Sequence, residues 1–272
     1  MNKLPILMTA SVSTRGMKGA DFSDSEREAM YIAAVNYYVA ALLKKEPGRK
    51  IVFVDNSGWD LGRIAAQVSD LPAGQIEFIS LDVKDFDISK GKGFNETILI
   101  NHAIEKSQLI RSVGAFLKVT GRYPILNIGL YLKESDRFIT DGGQFYGDMK
   151  DHRLYDILFP KKTDKWNGHA VYTVLFATTV NFWKEHLFRL LPKINDYTGD
   201  WIECVWFREL VKYRGNDSQC VRLRFSREPI CGGQQGSNVD TLAFSKDNNS
   251  LKCKMMRIVG NCIRTVTPWF WF

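Results

Sequence analysis

Between Lys90 and Pro124 the chain reads KGKGFNETILINHAIEKSQLIRSVGAFLKVTGRYP, and no other stretch restricts the fold as much. A Gly/Lys loop (Lys90, Gly91, Lys92, Gly93) leads into a helix predicted over 96–113, with Asn95 as its cap and Glu96 in its first turn. A buried strand over 115–119 follows and ends in a polar, basic turn. Upstream, Ile51–Gly58 reads IVFVDNSG, a buried strand that delivers Asp55, Asn56 and Ser57 at its carboxyl end. Ligands of open α/β sheets collect at those strand ends. Backbone amides at a helix start, with two lysines beside them, suit a diphosphate. Two such strand ends in a row point to a nucleotide-containing ligand.

The rest of the N-terminal half repeats the alternation. A first strand is predicted over 4–12, then a loop with Gly16 and Gly19, then a helix capped by Ser23 or Asp24 that runs to about Lys45. Ala29, Ile32, Ala33, Tyr37, Ala40 and Ala41 form its expected buried face. A helix over 61–68 and a strand over 76–81 complete a β-α-β-α-β-α-β order, which predicts a mostly parallel sheet with right-handed crossovers. After Tyr123 the pattern changes: strands are expected at 126–132, 135–140, 170–178 and 222–225, and helices at 180–191 and 199–212, the latter capped by Asp200.

At 272 residues with 45% hydrophobic content, the chain can bury a full core as one large domain, with at most a small C-terminal addition. Its 37 basic and 30 acidic residues give a net charge of +7, which favours an anionic partner. Five cysteines, all in the last third and without C-x-x-C pairing, argue against a zinc site or a disulfide framework. His102, His169 and His186 lack metal-ligand spacing and read as structural. The N-terminal apolar run is too short for a signal peptide, and no stretch approaches the roughly 20 apolar residues of a membrane span, so a cytoplasmic protein is expected. The tail interleaves Lys252, Lys254, Arg257 and Arg264 with Met255, Met256, Ile258, Val259 and Ile263, and ends Pro-Trp-Phe-Trp-Phe. That pattern fits the interfacial zone of a bilayer, at the inner face of the membrane, or else a helix packed on the body or an oligomer contact.

Together the first strand at 6–11, IVFVDNSG at 51–58, KGKGFNE at 90–96, FLKVTGRYPILN at 116–127 and, more loosely, GDWIECVWFREL at 199–210 resemble a GT-A-type nucleotide-sugar glycosyltransferase of bacterial surface-polysaccharide (O-antigen or capsule) assembly, as in lipopolysaccharide biosynthesis. The resemblance covers about three quarters of the chain by order of elements and contains no single highly specific motif. It implies an α/β fold: a GT-A-like, Rossmann-type, mostly parallel sheet flanked by helices, with a mixed acceptor-side half and a C-terminal amphipathic tail. The catalytic domain is expected over 1–250, divided into a nucleotide-sugar-binding half (1–125) and an acceptor half (126–250), with the tail over 251–272. The implied donor is a nucleotide-diphosphate sugar, with a UDP-sugar favoured. The implied acceptor is a polysaccharide or lipid-linked glycan, and nucleic acid is not an expected partner.

The resemblance also assigns residues. Asp55 would bind base or ribose, with Ser11, Asn56 and Ser57 beside it, while Lys92, Gly93 and Asn95 would border the donor. Such enzymes commonly carry Asp-x-Asp after the strand that follows the Gly/Lys helix, where it holds a divalent metal. Here that place reads Thr120-Gly121-Arg122-Tyr123, and the literal Asp85-Phe86-Asp87 falls before the loop. Two readings stay open. Arg122, with Lys118, Gly121 and Tyr123 around it, neutralises the leaving diphosphate in place of a metal; or Asp141, Asp148 or Asp151 supplies a ligand for Mn2+ or Mg2+.

Inverting transfer needs a carboxylate to take the acceptor's proton. Asp200 and Glu203, three apart on one helical face, are the candidates, the alternative being a helix cap and a solvated side chain. Trp201, Trp206 and Phe207 read as core before they read as a sugar platform, the 148–153 segment as a loop over the donor or a charged surface, and the 228–236 segment as a flexible lid or an exposed loop. Two rival functions remain. One is a sugar-phosphate nucleotidyltransferase, faintly echoed in Thr14-Arg15-Gly16-Met17-Lys18-Gly19; the other is a non-enzymatic nucleic-acid or membrane-binding module.

Overall fold

The computed structural model describes residues 3–18, 20–43, 46, 48–69, 73–81, 86–151, 157, 168–214, 219–232 and 251–267. The strands are β1 (Ile6–Ala10), β2 (Ile51–Asp55), β3 (Ile76–Ser80), β4 (Ala115–Thr120), β5 (Phe145–Tyr146), β6 (Met149–Asp151), β7 (His169–Val171), β8 (Leu175–Thr179) and β9 (Val221–Arg222). The main helices are α1 (Asp24–Tyr38), α2 (Leu61–Ala65), α3 (Lys92–Lys106), α4 (Gln108–Val113), α5 (Ile128–Thr140), α6 (Ile202–Leu210) and α7 (Leu251–Val266).

One seven-stranded sheet runs in the order β3-β2-β1-β4-β8-β5-β9. The first four strands are parallel, in register at Ile6↔Ile51, Ile51↔Ile76 and Ile6↔Leu117. β8 is antiparallel to β4 and to β5, and β5 pairs in parallel with β9. The architecture is thus α/β with a mostly parallel sheet flanked by helices, and the two halves expected from the sequence share that sheet. A core lies on each face because side chains alternate along a strand. Ile6 and Met8 join α1, α2 and α5 on one face, while Leu7, Val52 and Val54 join α3, α4 and the 180–210 region on the other. Strands covered on both sides read as near-continuous apolar runs, and β1 and β2 are buried at every residue, Thr9 and Asp55 included.

α1 begins where its capping box dictates: the Ser23 side chain accepts from the Glu26 amide and Glu26 reaches back to Ser23. Its buried face differs from the sequence expectation. Arg27, Glu28, Tyr31, Ala34, Val35 and Tyr38 point inward, whereas Ala29, Ala33 and Ala40 are exposed. Counting alanines misplaced the face because Arg27 and Glu28 are held inside by hydrogen bonds. A wider turn over Val39–Leu43 follows α1.

The two strands expected at 126–132 and 135–140 are instead one helix, α5. The β-branched and aromatic residues there suggested strand, but Ile128, Tyr131, Leu132 and Ser135 are buried at helical spacing. The strand expected over 170–178 is split: β7 pairs with β6 in a separate two-stranded ladder, Tyr172–Val174 leave the sheet, and β8 resumes it. The 180–191 helix divides into short turns at Val180–Phe182, Trp183–Leu187 and Phe188–Lys193. α6 starts at Ile202 with Trp201 at its cap position and no side-chain cap, so Asp200 is not the cap expected. Asp200 accepts from Thr198 Oγ1 at 3.1 Å and from Arg208 at 3.5 Å. Trp206 is fully buried, 5.6 Å from Trp183 and 5.4 Å from Phe176, which makes it core. Residues 231–232 pair with 124–125 beside α5 (Ile125↔Cys231; Gly232 N to Pro124 O, 2.7 Å), and 233–236 lie outside the described residues. Among the described residues no helix is long and apolar enough to cross a membrane, and Cys204, Cys220, Cys231 and Cys262 are in no disulfide.

Candidate functional site

A cleft of about 380 Å³ opens at the carboxyl ends of β1 and β4, where the loop after β1, the start of α3 and the 170–174 segment converge. Its floor is built from the turn that the sequence writes as Thr120-Gly121-Arg122. The Gly121 amide donates to Thr9 O at 2.9 Å, and a Cβ at Gly121 would sit 2.6 Å from that carbonyl. Only glycine lets β4 close against β1 there, and the closure turns Arg122 into the cleft. The Arg122 guanidinium lies 5.2 Å from the Tyr123 ring, and its Nε and Nη1 are buried without hydrogen-bond partners.

Two further cations share this space. Arg27, 4% exposed, donates from Nε and Nη2 to Ser11 O at 2.8 and 2.6 Å and so shapes the loop after β1. Burial lowers its pKa; Tyr31 offsets part of that, and the like charge of Arg122 adds to it. Lys92, the first residue of α3, reaches over the cleft. Desolvation, then repulsion from Arg122 and Arg27, pull its ammonium down to about 8. Like charges gathered in this way are costly without an anion, so the arrangement suits a phosphorylated ligand.

Opposite the cations stands Glu203 on α6, facing Thr173, whose Oγ1 donates to Oε1 at 3.3 Å. Desolvation raises Glu203 to about 7, with Asp196 and Glu96 adding repulsion. Glu96 also lines the cleft but is committed: Lys118 Nζ lies 2.7 Å from Oε1 and Thr9 Oγ1 donates to it at 2.8 Å. Phe86, Tyr123 and Tyr172 supply aromatic surface, and exposed Lys150 on β6 stands at the rim.

The structure brings together Ser11, Lys92, Asn95, Arg122, Tyr123 and Glu203 of the residues expected from sequence. The others stand behind or beside the cleft. Asp55 is fully buried, and its carboxylate accepts from Val12 N, Ser57 N, Ser57 Oγ and Trp59 N at 2.6–3.3 Å. It laces the loops after β1 and β2 together, in part as an Asx turn, and does not line the cleft. Asn56 holds Ser11 Oγ at 2.7 Å, and Ser57 Oγ accepts from Ser13 N at 3.2 Å. Lys118 is buried under the floor, bonded to Thr173 O at 2.7 Å as well as to Glu96.

The helix start expected to receive a diphosphate is occupied by a carboxylate of the protein. Asp196 Oδ2 accepts from the Gly93 amide at 3.0 Å, and the Lys92 amide also donates to Asp196. Gly91, with φ of 88°, caps α3, and a Cβ there would meet Asp196 at 2.6 Å. Asn95 is therefore not the cap: it lies inside α3, where Nδ2 donates to Asp87 O at 2.8 Å and Gly91 O at 2.6 Å. The alternative metal carboxylates are spent on arginines. Asp148 takes both Nη atoms of Arg264 at 2.8–2.9 Å, and Asp151 pairs with Arg214 and lies 3.0 Å from His169. Asp141 is exposed near Arg137, and Asp85 lies outside the described residues. No three His, Cys, Asp or Glu side chains converge among the described residues, and the cleft's cation-rich lining does not fit a divalent metal.

Sequence reasoning missed Arg27, Glu96, Tyr172 and Asp196. Arg27 and Tyr31 are four apart on the buried face of α1, and a basic residue at core spacing is the signal that could have marked that face. Asp196 gives no such signal, because its role depends on a contact more than 100 residues along the chain.

No protein-family model matches the chain, and no curated protein matches it. Solved structures do. A Desulfovibrio desulfuricans protein named as a nucleotide-diphospho-sugar transferase is 13% identical, with TM-score 0.48, covering 97% of this chain and 98% of its own. Core-mannan synthase A of Aspergillus fumigatus, solved in its Mn/GDP form, is 9% identical with TM-score 0.48, covering 90% and 78%. The apo bifunctional glycosyltransferase WbbM is 13% identical with TM-score 0.42 over 76% of this chain, which spans only 38% of that protein.

Proposed function

We propose that the protein is a glycosyltransferase that moves a sugar from a nucleotide-diphosphate donor, with a UDP-sugar favoured, to a glycan or lipid-linked glycan acceptor. One observation carries the reading: a three-cation cluster (Arg27, Lys92, Arg122) and a carboxylate poised near neutrality (Glu203) share a single cleft at the strand ends. The solved structures similar to this chain are named for that chemistry, at identities too low to transfer it.

In this reading the cations receive the diphosphate and the aromatic side chains hold base and sugar. Glu203, rather than Asp200, which does not line the cleft, takes the acceptor's proton. The acceptor oxygen bonds to the sugar's anomeric carbon as the carbon–oxygen bond to phosphate breaks. The proton goes to Glu203 and the electron pair leaves with the nucleoside diphosphate, whose charge Arg27, Lys92 and Arg122 neutralise. Asp55, Asn56 and Ser57 act from behind by fixing the loop that carries Ser11. Lys150 and the 170–174 segment form the acceptor side.

The C-terminal helix belongs to the same proposal. Arg264 anchors α7 to Asp148, while Met255, Ile258 and Val259 face outward, more than half exposed, with Lys254 beside them. An outward apolar stripe edged by basic charge suits an anionic bilayer surface, where a lipid-linked acceptor would be met.

Thermal shift against UDP, GDP, dTDP and CMP tests the reading. Stabilisation by one nucleoside diphosphate and not by CMP is expected. A protein unmoved by all four is not a nucleotide-sugar transferase.

A further inference from the structure

We infer that the cleft grips its ligand's diphosphate through Arg27, Lys92 and Arg122 without a divalent cation. This rests on the glycosyltransferase reading for the identity of the ligand, but the anion grip stands on the side chains themselves. The turn that ends β4, Thr120-Gly121-Arg122-Tyr123, carries no carboxylate. Arg122, beside Tyr31, brings a buried Nε and a buried Nη1 without hydrogen bonds to the cleft lining, two separate donors that different oxygens of a diphosphate can meet.

Among the described acids, Asp21 stands near enough to Lys92 to favour its charge, and the others around the cleft, Glu203 aside, are engaged. Glu96 is neutralised by Lys118, and Asp196 caps α3. Asp87 accepts from the Ser89 amide and hydroxyl at 2.8 and 2.6 Å, while Asp148 and Asp151 face Arg264 and Arg214. A dication placed among three cations would be repelled by all of them, with one uncommitted cleft carboxylate, Glu203, in return. The three positive charges match the two to three negative charges of a diphosphate. The lowered Lys92 ammonium adds a consequence: an anion beside it restores its proton affinity, so binding near pH 8 takes up protons from solution.

The test is calorimetric titration of the full chain with UDP and with inorganic pyrophosphate at pH 7 and pH 8, in EDTA and again in Mn2+. Equal affinity in both media is expected, together with proton uptake at pH 8 seen as a dependence on buffer ionisation heat. Arg122→Met and Lys92→Met, checked for unchanged melting, should each weaken binding about 10- to 100-fold, as loss of a charge-assisted bond does. Binding that needs Mn2+, or that survives both substitutions, overturns the inference while leaving the transferase reading standing. Pyrophosphate and UDP binding in EDTA, with no nucleotide sugar ever turned over, keeps the anion grip and removes the transferase reading. No binding in either medium removes both.

Discussion

Glu203 and Lys92 set opposite limits on when the cleft can work. In the proposed reaction Glu203, raised to about 7, has to be ionised to accept a proton, while Lys92, lowered to about 8, has to be protonated to meet phosphate. The kcat/KM profile should therefore be a narrow bell, with its acid limb near pH 7 and its alkaline limb near pH 8; a profile flat from pH 5 to 9 contradicts both assignments. Glu203→Gln should cut kcat about 10²- to 10⁴-fold, the range for loss of a general base. The same substitution should stabilise the fold at high pH. A carboxyl whose folded pKa exceeds its unfolded value favours folding while protonated and loses that contribution as pH rises through about 7. Glu203→Gln should therefore melt higher than the parent at pH 8 and level with it at pH 4. A lower melting point at pH 8 would show that the ionised carboxylate is satisfied in the fold.

Between elements, the site depends on close contacts that tolerate no extra atom. Gly121→Ala would press a methyl against Thr9 O at 2.6 Å and Tyr31 at 3.2 Å. A loss of about 1–3 kcal/mol is expected, the usual cost of overpacking, read as a lower urea midpoint with weakened UDP binding. An alanine variant as stable as the parent would mean that β1 and β4 do not need this contact. Much of this level was legible in the sequence. The strand–helix alternation from Leu4 to Thr120 predicts a mostly parallel sheet, and β1 to β4 do pair in parallel, because strands joined through helices admit few other arrangements. Arg122 and Glu203, which the resemblance singled out, both line the cleft. What stayed hidden were partners far away in the chain. Asp55 looked like a ligand-binding acid and is a turn organiser. Lys118 looked like a phosphate-binding cation and is cancelled by Glu96. The helix start of α3 looked open and is closed by Asp196. α5 was misread because composition was weighed above spacing, and the 170–178 strand because nothing local marks its break at Tyr172.

At the scale of the molecule, the proposed membrane docking combines the net charge of +7 with the outward apolar stripe of α7. The full chain should co-sediment with anionic vesicles and not with zwitterionic ones, and should be released by salt. Replacing Met255, Ile258 and Val259 with serine should abolish that association while leaving UDP binding intact. Retention in the supernatant with every vesicle would leave α7 a helix that only packs on the body.

The account as a whole stands on the release of nucleoside diphosphate from nucleotide sugars. Phosphorus NMR of the protein incubated with UDP-, GDP- and dTDP-sugars and a glycan acceptor, alongside Glu203→Gln and Arg122→Met, reads it directly. Turnover of one donor by the parent chain, with both variants reduced at least about 100-fold, is the predicted result. Intact donors in every sample, or equal turnover by all three proteins, would contradict it.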